Sequence, residues 1–320
     1  MSLGEDEMMN VNEEFTKQTG IRVKYTTYET NEQLYTMLST GSTEIDVVFP
    51  SDYMAGRMVE EGMLAELDFD HIPNYDLIDS QFKNLQYDPE NKYTVPYLWG
   101  TVGIFYNTTM VDPEDVEDLS WDLLWNEKYA GKILMFDNPR DAFAIAEAKL
   151  GYSLNTTDES ELWASYEELL KQKKLLQAYV MDQVFSKMAT GEAAIAPYYA
   201  GDGIVMLEEN EDIAFGFPKE AVNQFVDVVC IPKNSKNKEA AEQYINFLCS
   251  TEADLANAEA VGYATPQTEA RAELDPEVRD DPMFYPPQEI LDNTEIFMTL
   301  PKKVNQLMDD LWIKLKISRG

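Results

Sequence analysis

The stretch IRVKYTTYETNEQLYTMLSTGSTEIDVVFPSDYMAGRMVEEGM, from Ile21 to Met63, decides the fold class. IRVKYTTY alternates apolar and polar residues and predicts a strand, while NEQLYTMLSTG after it has the apolar spacing of a helix. IDVVFP is a short apolar run typical of a buried parallel strand. YMAGRMVEEGM predicts a second helix, which ends at Gly62. Strands and helices that alternate in this way predict an α/β fold with a parallel sheet.

The same alternation continues to the C-terminus. TVPYLWGTVGIFYN predicts extended chain broken at Gly100 and Gly103. Further strands are predicted at KILMFD, LQAYVMD, AAIAPYY, IAFGFP and FVDVVCIP, with helices between and after them. A chain of 320 residues suits two domains. We predict two discontinuous lobes, 1–106 with 229–285 and 107–228 with 286–320, and hinge crossings at TVGIFYN and FVDVVCIP.

Composition excludes several partners. The chain has 25 Lys and Arg against 59 Asp and Glu, a formal net charge of −34. Such a field repels nucleic acid and anionic lipid and attracts cations, although excess acid also serves solubility. No apolar run approaches the roughly 18 residues of a membrane-spanning helix. The N-terminus, MSLGEDEMMN, has the wrong chemistry for a signal peptide, and its first three residues resemble a vector-derived leader.

Histidine and cysteine usage argues against most catalytic and metal sites. His71 is the one histidine, in DFDHIP, and no partner for it is evident from the sequence. Triads and histidine metal clusters would depend on that residue. Cys230 and Cys249 lie in apolar strings and are expected to be buried thiols, with a disulfide left open. We predict no cofactor and no metal.

Several strings resemble the polyamine (spermidine/putrescine)-binding proteins of bacterial ABC transporters: EEFTKQTGIRVKYTTYETNE, PSDY, YTVPYLWGTVGI, SWDLLWNEKYAGKI, KLGYSLNTTD, IPKNSKNKEAAEQYINFL and VGYATP. The resemblance runs in register from about Glu13 to the end. It implies a type II-like periplasmic-binding-protein fold with the ligand cleft between lobes joined by β hinge crossings. It also implies a monomer without enzymatic activity, which captures putrescine or spermidine outside the cytoplasm by hinge closure and delivers it to permease subunits. The expected location is the periplasm or, as a lipoprotein, the surface of a Gram-positive cell.

The resemblance assigns a ligand acid and an aromatic wall in QFVDVV. Asp227 aligns with the acid that binds an amine end, and Phe225 aligns with the wall. Their i, i+2 spacing directs both side chains to one face of a strand. The alternative is an ordinary alternating strand with one solvated Asp.

Two further strings supply candidates. In YYAGDG, Tyr199 and Asp202 match the putrescine-preferring branch, although Asp202 also suits a helix N-cap. In DNPRDAF, Asp141 falls on a family acid, while Asn138 replaces a second one. Asn138 as N-cap and Pro139 at N1 equally make a good helix start. On YAGD and Phe225 the sequence favours putrescine.

Ser51 and Tyr53 match family ligand positions after a buried strand, where open α/β sheets bind ligands. Tyr263 in VGYATP aligns with another aromatic wall, whereas Tyr97 and Trp99, like Trp121 and Trp125, are interpreted as packing residues. The family's first strand with its aromatic pair has no counterpart here, whether by truncation or divergence. A Gln that some members use falls near Phe297 or Met298.

Besides a signalling sensor that binds a polyamine without transporting it, two alternatives stay open. The first is a binding protein of the same fold for another small cationic or neutral solute, such as an amino acid derivative, a thiamine-like cation or a sugar. The second is a carboxylate-pair hydrolase, with Asp137 and Asp141 as the imagined pair.

Overall fold

The computed structural model describes residues 9–28, 30–41 and 44–318, so the predicted leader lies outside the described residues. The described helices are α1 Val11–Thr19, α2 Asn31–Thr40, α3 Asp52–Glu60, α4 Pro139–Lys149, α5 Glu159–Gln172, α6 Gln183–Ala189, α7 Gly203–Glu209, α8 Lys238–Leu248, α9 Thr251–Val261, α10 Thr268–Glu273, α11 Pro276–Arg279, α12 Gln288–Leu291 and α13 Lys302–Ile317. The strands are β1 Thr94–Asn107, β2 Ile133–Phe136, β3 Leu176–Val180, β4 Ile195–Tyr199, β5 Ile213–Gly216, β6 Val222–Cys230 and β7 Thr294–Glu295.

The chain forms two compact units. Unit 1 comprises Met1–Trp99 and Phe225–Asp281, and unit 2 comprises Gly100–Gln224 and Pro282–Gly320. The chain passes from unit to unit inside β1 and inside β6, the two segments predicted as crossings, and again between α11 and α12. The predicted lobe boundaries lie a few residues later along the chain. As a result Phe225 and Asp227, expected in the second lobe, belong to unit 1.

The two parallel strands predicted for this part of unit 1 are not assigned as strands in the structure. Residues 21–28 form no assigned strand, and among the described residues IDVVFP contributes a single antiparallel bridge, Val48 with Cys230, followed by one from the next residue, Ser51, to Asp227. An apolar run indicates burial, but it does not show which strand will pair with it or in which direction. The helices that follow both segments, α2 and α3, lie where the spacing predicts them.

The core of unit 1 forms around the end of β6. Val229 and Ile231 pack there with Ile245 and Leu248 of α8. Ser250 caps α9 through a hydrogen bond from the Ala253 N–H, and α9 therefore begins as a separate helix just after α8.

The strands form a mixed sheet, to which unit 2 contributes β2, β3, β4, β5 and β7 and parts of β1 and β6. The strand order of the seven-stranded sheet is β3-β2-β4-β1-β6-β7, with β5 pairing β1. β2 and β3 pair in parallel, whereas β4 and β5 run antiparallel to β1. The strands predicted at KILMFD, LQAYVMD, AAIAPYY and IAFGFP are all present. Helix α4 packs on this sheet and on α5, and it buries Phe143 completely.

β1 is a continuous strand, so the predicted breaks at Gly100 and Gly103 are wrong. Gly103 serves close packing instead, because a Cβ atom there would lie 2.3 Å from the Phe215 ring. A glycine inside a strand therefore marks a close approach here and not a bend.

The cysteines and tryptophans that were interpreted as structural are part of the packing of the protein. Cys230 and Cys249 are buried free thiols and form no disulfide. Trp99 and Trp121 are buried, and their indole N–H groups donate to backbone carbonyls. His71 does have a partner: its Nδ1 lies 2.8 Å from Oε2 of the buried Glu242, far away in sequence, which is why the sequence did not reveal it.

Candidate functional site

Five of the predicted ligand residues belong to unit 1, and we call them the unit 1 cluster: Ser51, Tyr53, Phe225, Asp227 and Tyr263. Ser51 precedes α3 and bridges to Asp227 of β6, so the N-terminus of the helix meets the middle of the strand. The Ser51 hydroxyl donates to Asp227 Oδ1 over 2.8 Å. Ser51 occupies the N-cap position of α3 but makes no side-chain cap hydrogen bond. Its hydroxyl is directed to the carboxylate of Asp227.

Asp227 has an unusual electrostatic environment. Burial raises the pKa of its carboxyl to about 6, and the hydrogen bond from Ser51 opposes this only in part. Among the described residues only Ser51 is seen to donate to it, and Asp227 remains partly exposed. Such a carboxylate is ionised at neutral pH but is poorly solvated, so a cation that reaches it is attracted more strongly than at the surface.

Three side chains that the sequence reasoning missed hold the unit 1 cluster in place. Asn31 makes two hydrogen bonds with Ser51: its amide donates to Ser51 Oγ at 3.2 Å, and its Oδ1 accepts from Ser51 N at 3.1 Å. Glu32 accepts the Tyr53 hydroxyl at 3.1 Å. Asp52 is fully buried and accepts the N–H of Val226 at 3.0 Å. All three stand at the starts of helices that follow extended segments, which is the available sequence signal.

Two aromatic members of the cluster are in edge-on contact. The rings of Phe225 and Tyr263 lie 5.3 Å apart between centroids, at an interplanar angle of 61°. Tyr263 follows the helix-ending Gly262, and the next residue, Ala264, exchanges two backbone hydrogen bonds with Trp99. Trp99, interpreted as packing, therefore anchors the loop that carries Tyr263.

The other three predicted residues belong to unit 2, and we call them the unit 2 cluster: Asp141, Tyr199 and Asp202. The Tyr199 hydroxyl donates to Asp141 Oδ2 over 3.0 Å. Asp141 lies in the first turn of α4, where Asn138 is the N-cap and Pro139 is at N1, as predicted. The ring of Tyr199 packs on Phe136 at 5.1 Å. A β2–β4 aromatic layer thus supports the residue that orients Asp141.

Asp202 stands at the N-cap position of α7, but its side chain makes no cap hydrogen bond. The predicted position is therefore confirmed, while the predicted capping role is wrong. Asp202 also contributes to the negative environment that, after burial, raises the pKa of the neighbouring Tyr198. This end of β4 is strongly negative.

A polar network ties the start of α4 to residues 295–298. The Arg140 guanidinium donates to Asn155 Oδ1 at 2.7 Å and lies 4.2 Å from the centroid of the Phe297 ring. Asn155 Oδ1 also accepts the Met298 N–H, and Glu295 accepts from the Asn155 amide. Phe297, one of the two positions near which the family Gln was expected, thus packs against Arg140.

The two carboxylates of the imagined pair have different partners. Asp137 forms an ion pair of 2.6 Å with Lys316, whereas Asp141 accepts from Tyr199. Within residues 9–28, 30–41 and 44–318 no group of three or more His, Cys, Asp or Glu side chains could hold a metal ion.

Comparison with known proteins identifies the family. The profile of the bacterial extracellular solute-binding proteins matches residues 10–286. The chain belongs to this family. The predicted family and the periplasmic-binding-protein fold are thereby confirmed.

Several relatives of this solute-binding protein are named as polyamine-binding proteins. It is 37% identical over 308 residues to the spermidine/putrescine-binding periplasmic protein of Escherichia coli, covering 96% of this chain and 88% of that protein. It is 30% identical to the putrescine-binding periplasmic protein SpuD of Pseudomonas aeruginosa, with coverage of 95% and 87%. Among solved structures, the spermidine/putrescine ABC transporter substrate-binding protein PotD of Streptococcus pneumoniae aligns with a TM-score of 0.84 and 36% identity, over 98% and 96% of the two chains.

Among the described helices of the solute-binding protein, none is long and apolar enough to cross a membrane.

Proposed function

We propose that this protein captures a polyamine outside the cytoplasm and delivers it to the permease subunits of an ABC transporter, without chemical turnover. The observation that carries the proposal is the Asp227 carboxylate, which is ionised at neutral pH, poorly solvated and oriented by Ser51. The aromatic pair of Phe225 and Tyr263 belongs to the same cluster. The names of the relatives support the same ligand class.

The chemistry of each cluster suits one part of a polyamine. An ammonium group about 4 Å from a carboxylate gains roughly 4 kcal/mol at an effective dielectric constant of about 20. A cation over an aromatic face gains about 0.5–2 kcal/mol more. Unit 1 offers Asp227 with two rings, and unit 2 offers Asp141 and Asp202 with Tyr199. Micromolar binding needs only about −8 kcal/mol in total, after the costs of desolvation.

We expect a preference for putrescine. By the resemblance, Tyr199 and Asp202 match the string of the putrescine-preferring branch, with Asp202 at the start of α7. The Gln that some members use falls near Phe297 or Met298, and Phe297 packs against Arg140. A second acid is absent at the start of α4, where neutral Asn138 is the N-cap. These features favour a ligand with two amines over one with an additional amine.

The test is isothermal titration of putrescine, cadaverine, spermidine and spermine into dialysed protein, at physiological and at high salt. We expect one-to-one binding at micromolar concentration or tighter that persists at high salt, with putrescine tightest. Weak heat that disappears with salt would show only the attraction of the −34 charge for cations. Equal binding of an uncharged amino acid derivative would instead favour another solute. Scattering with and without putrescine would test the predicted hinge closure.

A further inference from the structure

A buried carboxylate of unit 1 is attached to the loop that carries Tyr263. Asp254 belongs to the first turn of α9 and is 3% exposed. It accepts a hydrogen bond from the hydroxyl of Thr265, which is equally buried and follows Tyr263 by two residues. We call residues 262–267 the Tyr263 loop. Neither Asp254 nor Thr265 is among the predicted ligand residues, so their contact needs a separate explanation.

Thr265 connects several parts of this loop. Its hydroxyl donates to Asp254 and accepts the N–H of Gln267 at 2.9 Å. Its carbonyl accepts the indole N–H of Trp99 at 3.1 Å. A hydroxyl has one proton to donate, and the Asp254 carboxylate receives it. Asp254 therefore fixes the orientation of the side chain on which the Gln267 end of the loop depends.

The placement of Tyr263 depends on the same loop. The chain leaves α9 through Gly262, whose φ of +78° lies in the left-handed region that favours glycine. On the other side of Tyr263, Ala264 exchanges backbone hydrogen bonds of 2.9 and 3.1 Å with Trp99. Between these two fixed points the Tyr263 ring contacts Phe225. A shift of the chain just after Tyr263 would therefore move its ring relative to Phe225.

The charge of Asp254 destabilises this arrangement. Burial raises the pKa of its carboxyl to about 7, and the hydrogen bond from Thr265 opposes this only in part. Tyr97 and Cys249 face it, and burial raises the pKa of both above its ordinary value, so neither is charged near neutral pH. If the loop opens, water solvates the carboxylate and its ordinary pKa of 3.8 returns. The closed loop binds the proton more tightly, so its stability is complete below about pH 4 and decreases as pH rises to about 7.

We propose that Asp254 is a positioning residue of the ligand site, which holds the Tyr263 loop through Thr265 and loosens it on ionisation. Asp254 acts through Thr265, since its own carboxylate is buried under that contact. The consequence for ligand affinity rests on the proposed function, in which Tyr263 contacts the polyamine. The consequence for the loop itself does not. The Tyr263 loop is thus a proton-sensitive element of unit 1, held more firmly in mildly acidic than in neutral solution.

The first experiment measures hydrogen exchange of the Ala264 and Gln267 amides in the ligand-free protein, because the hydrogen bonds of both amides break when the loop opens. After correction for the intrinsic exchange rate, the opening constant should rise up to roughly a hundredfold between pH 5 and pH 8. In Asp254→Asn it should stay constant. Glu252→Gln, which removes an exposed carboxylate from the same turn of α9, should behave like the parent. A parent without this rise, or the same rise in Asp254→Asn, would overturn the proposal.

The second experiment titrates putrescine into variants of Thr265 at pH 7.5. Thr265→Val keeps the shape of the side chain but removes the hydroxyl, and it should raise the dissociation constant roughly threefold to tenfold. Thr265→Ser keeps the hydroxyl and should retain the affinity of the parent, while circular dichroism confirms that both variants fold. Unchanged affinity in Thr265→Val, or the same loss in Thr265→Ser, would refute the positioning role. A parent that binds no polyamine would refute the proposed function instead, and the exchange profile would still decide whether Asp254 holds the loop.

Discussion

Replacement of Asp227 by Asn is the sharpest test of the unit 1 cluster. The substitution keeps the shape of the side chain and an oxygen that can accept from Ser51, but it removes the charge. A carboxylate–ammonium pair at about 4 Å is worth roughly 4 kcal/mol at an effective dielectric constant of about 20. A neutral amide retains about 1 kcal/mol of this as a hydrogen bond. The net loss of about 2–3 kcal/mol weakens putrescine binding about 30- to 150-fold.

The same substitution has the opposite effect on stability. Burial raises the pKa of Asp227 from 3.8 to about 6, so the folded state holds a proton more tightly than the unfolded state. Stability therefore falls as pH rises between these values, and the full cost is present at neutral pH. About two pKa units correspond to roughly 3 kcal/mol. Asp227→Asn removes this cost, so the melting temperature of the ligand-free variant should rise near pH 7.5 and should not rise near pH 4.

Titration calorimetry and thermal unfolding of the same preparations measure both effects. Asp70→Asn is the matched control, because it removes one exposed carboxylate of unit 1 and changes the net charge equally. A variant that binds less tightly and melts higher shows that Asp227 serves ligand binding and not folding. Unchanged affinity for putrescine would refute the assignment of Asp227. Equal weakening in Asp70→Asn would attribute the effect to total charge.

Three further results are expected. Putrescine affinity should decrease by up to about tenfold per pH unit below about pH 6, because protonated Asp227 carries no charge, and the decrease should be absent in titrations of Asp227→Asn. Tyr199→Phe removes the hydroxyl that orients Asp141 and should raise the dissociation constant roughly threefold to tenfold, whereas Tyr75→Phe should not. Burial raises the pKa of Glu147 to about 8, which lowers stability progressively from its unfolded pKa up to that pH. Glu147→Gln should therefore melt higher than the parent near pH 9 and equally near pH 5.

The sequence predicts unit 2 well because its elements are specified locally. Asn138 and Pro139 define the start of α4, and the apolar strings of β2 and β4 each pair with a neighbour in the same unit. The acid Asp141 could thus be placed in its helical turn. Its hydrogen bond from Tyr199 joins residues 58 positions apart, and no local pattern encodes such a contact.

The supports of the unit 1 cluster were missed for a related reason. Asp52 is a charged residue between two predicted ligand residues, Ser51 and Tyr53, and the string PSDY itself contains no indication of its partner. In the structure it is fully buried and holds the backbone of Val226, 174 positions away. A buried carboxylate that accepts main-chain N–H groups positions its neighbours without contacting a ligand. Sequence spacing cannot separate that role from binding.

The two predicted strands that are absent, in 21–28 and 45–49, share one physical cause. Alternation and apolar runs predict an extended backbone, and residues of both segments line one large pocket of unit 1. A strand, however, exists only through its partner, and Val48 is the residue of these segments that pairs with β6 on both its N–H and its C=O. Tyr25 is correspondingly 74% exposed, which is unusual for an aromatic residue in an apolar pattern. Alternation thus predicts which residues favour a strand, but it does not specify the neighbouring strand with which they must pair.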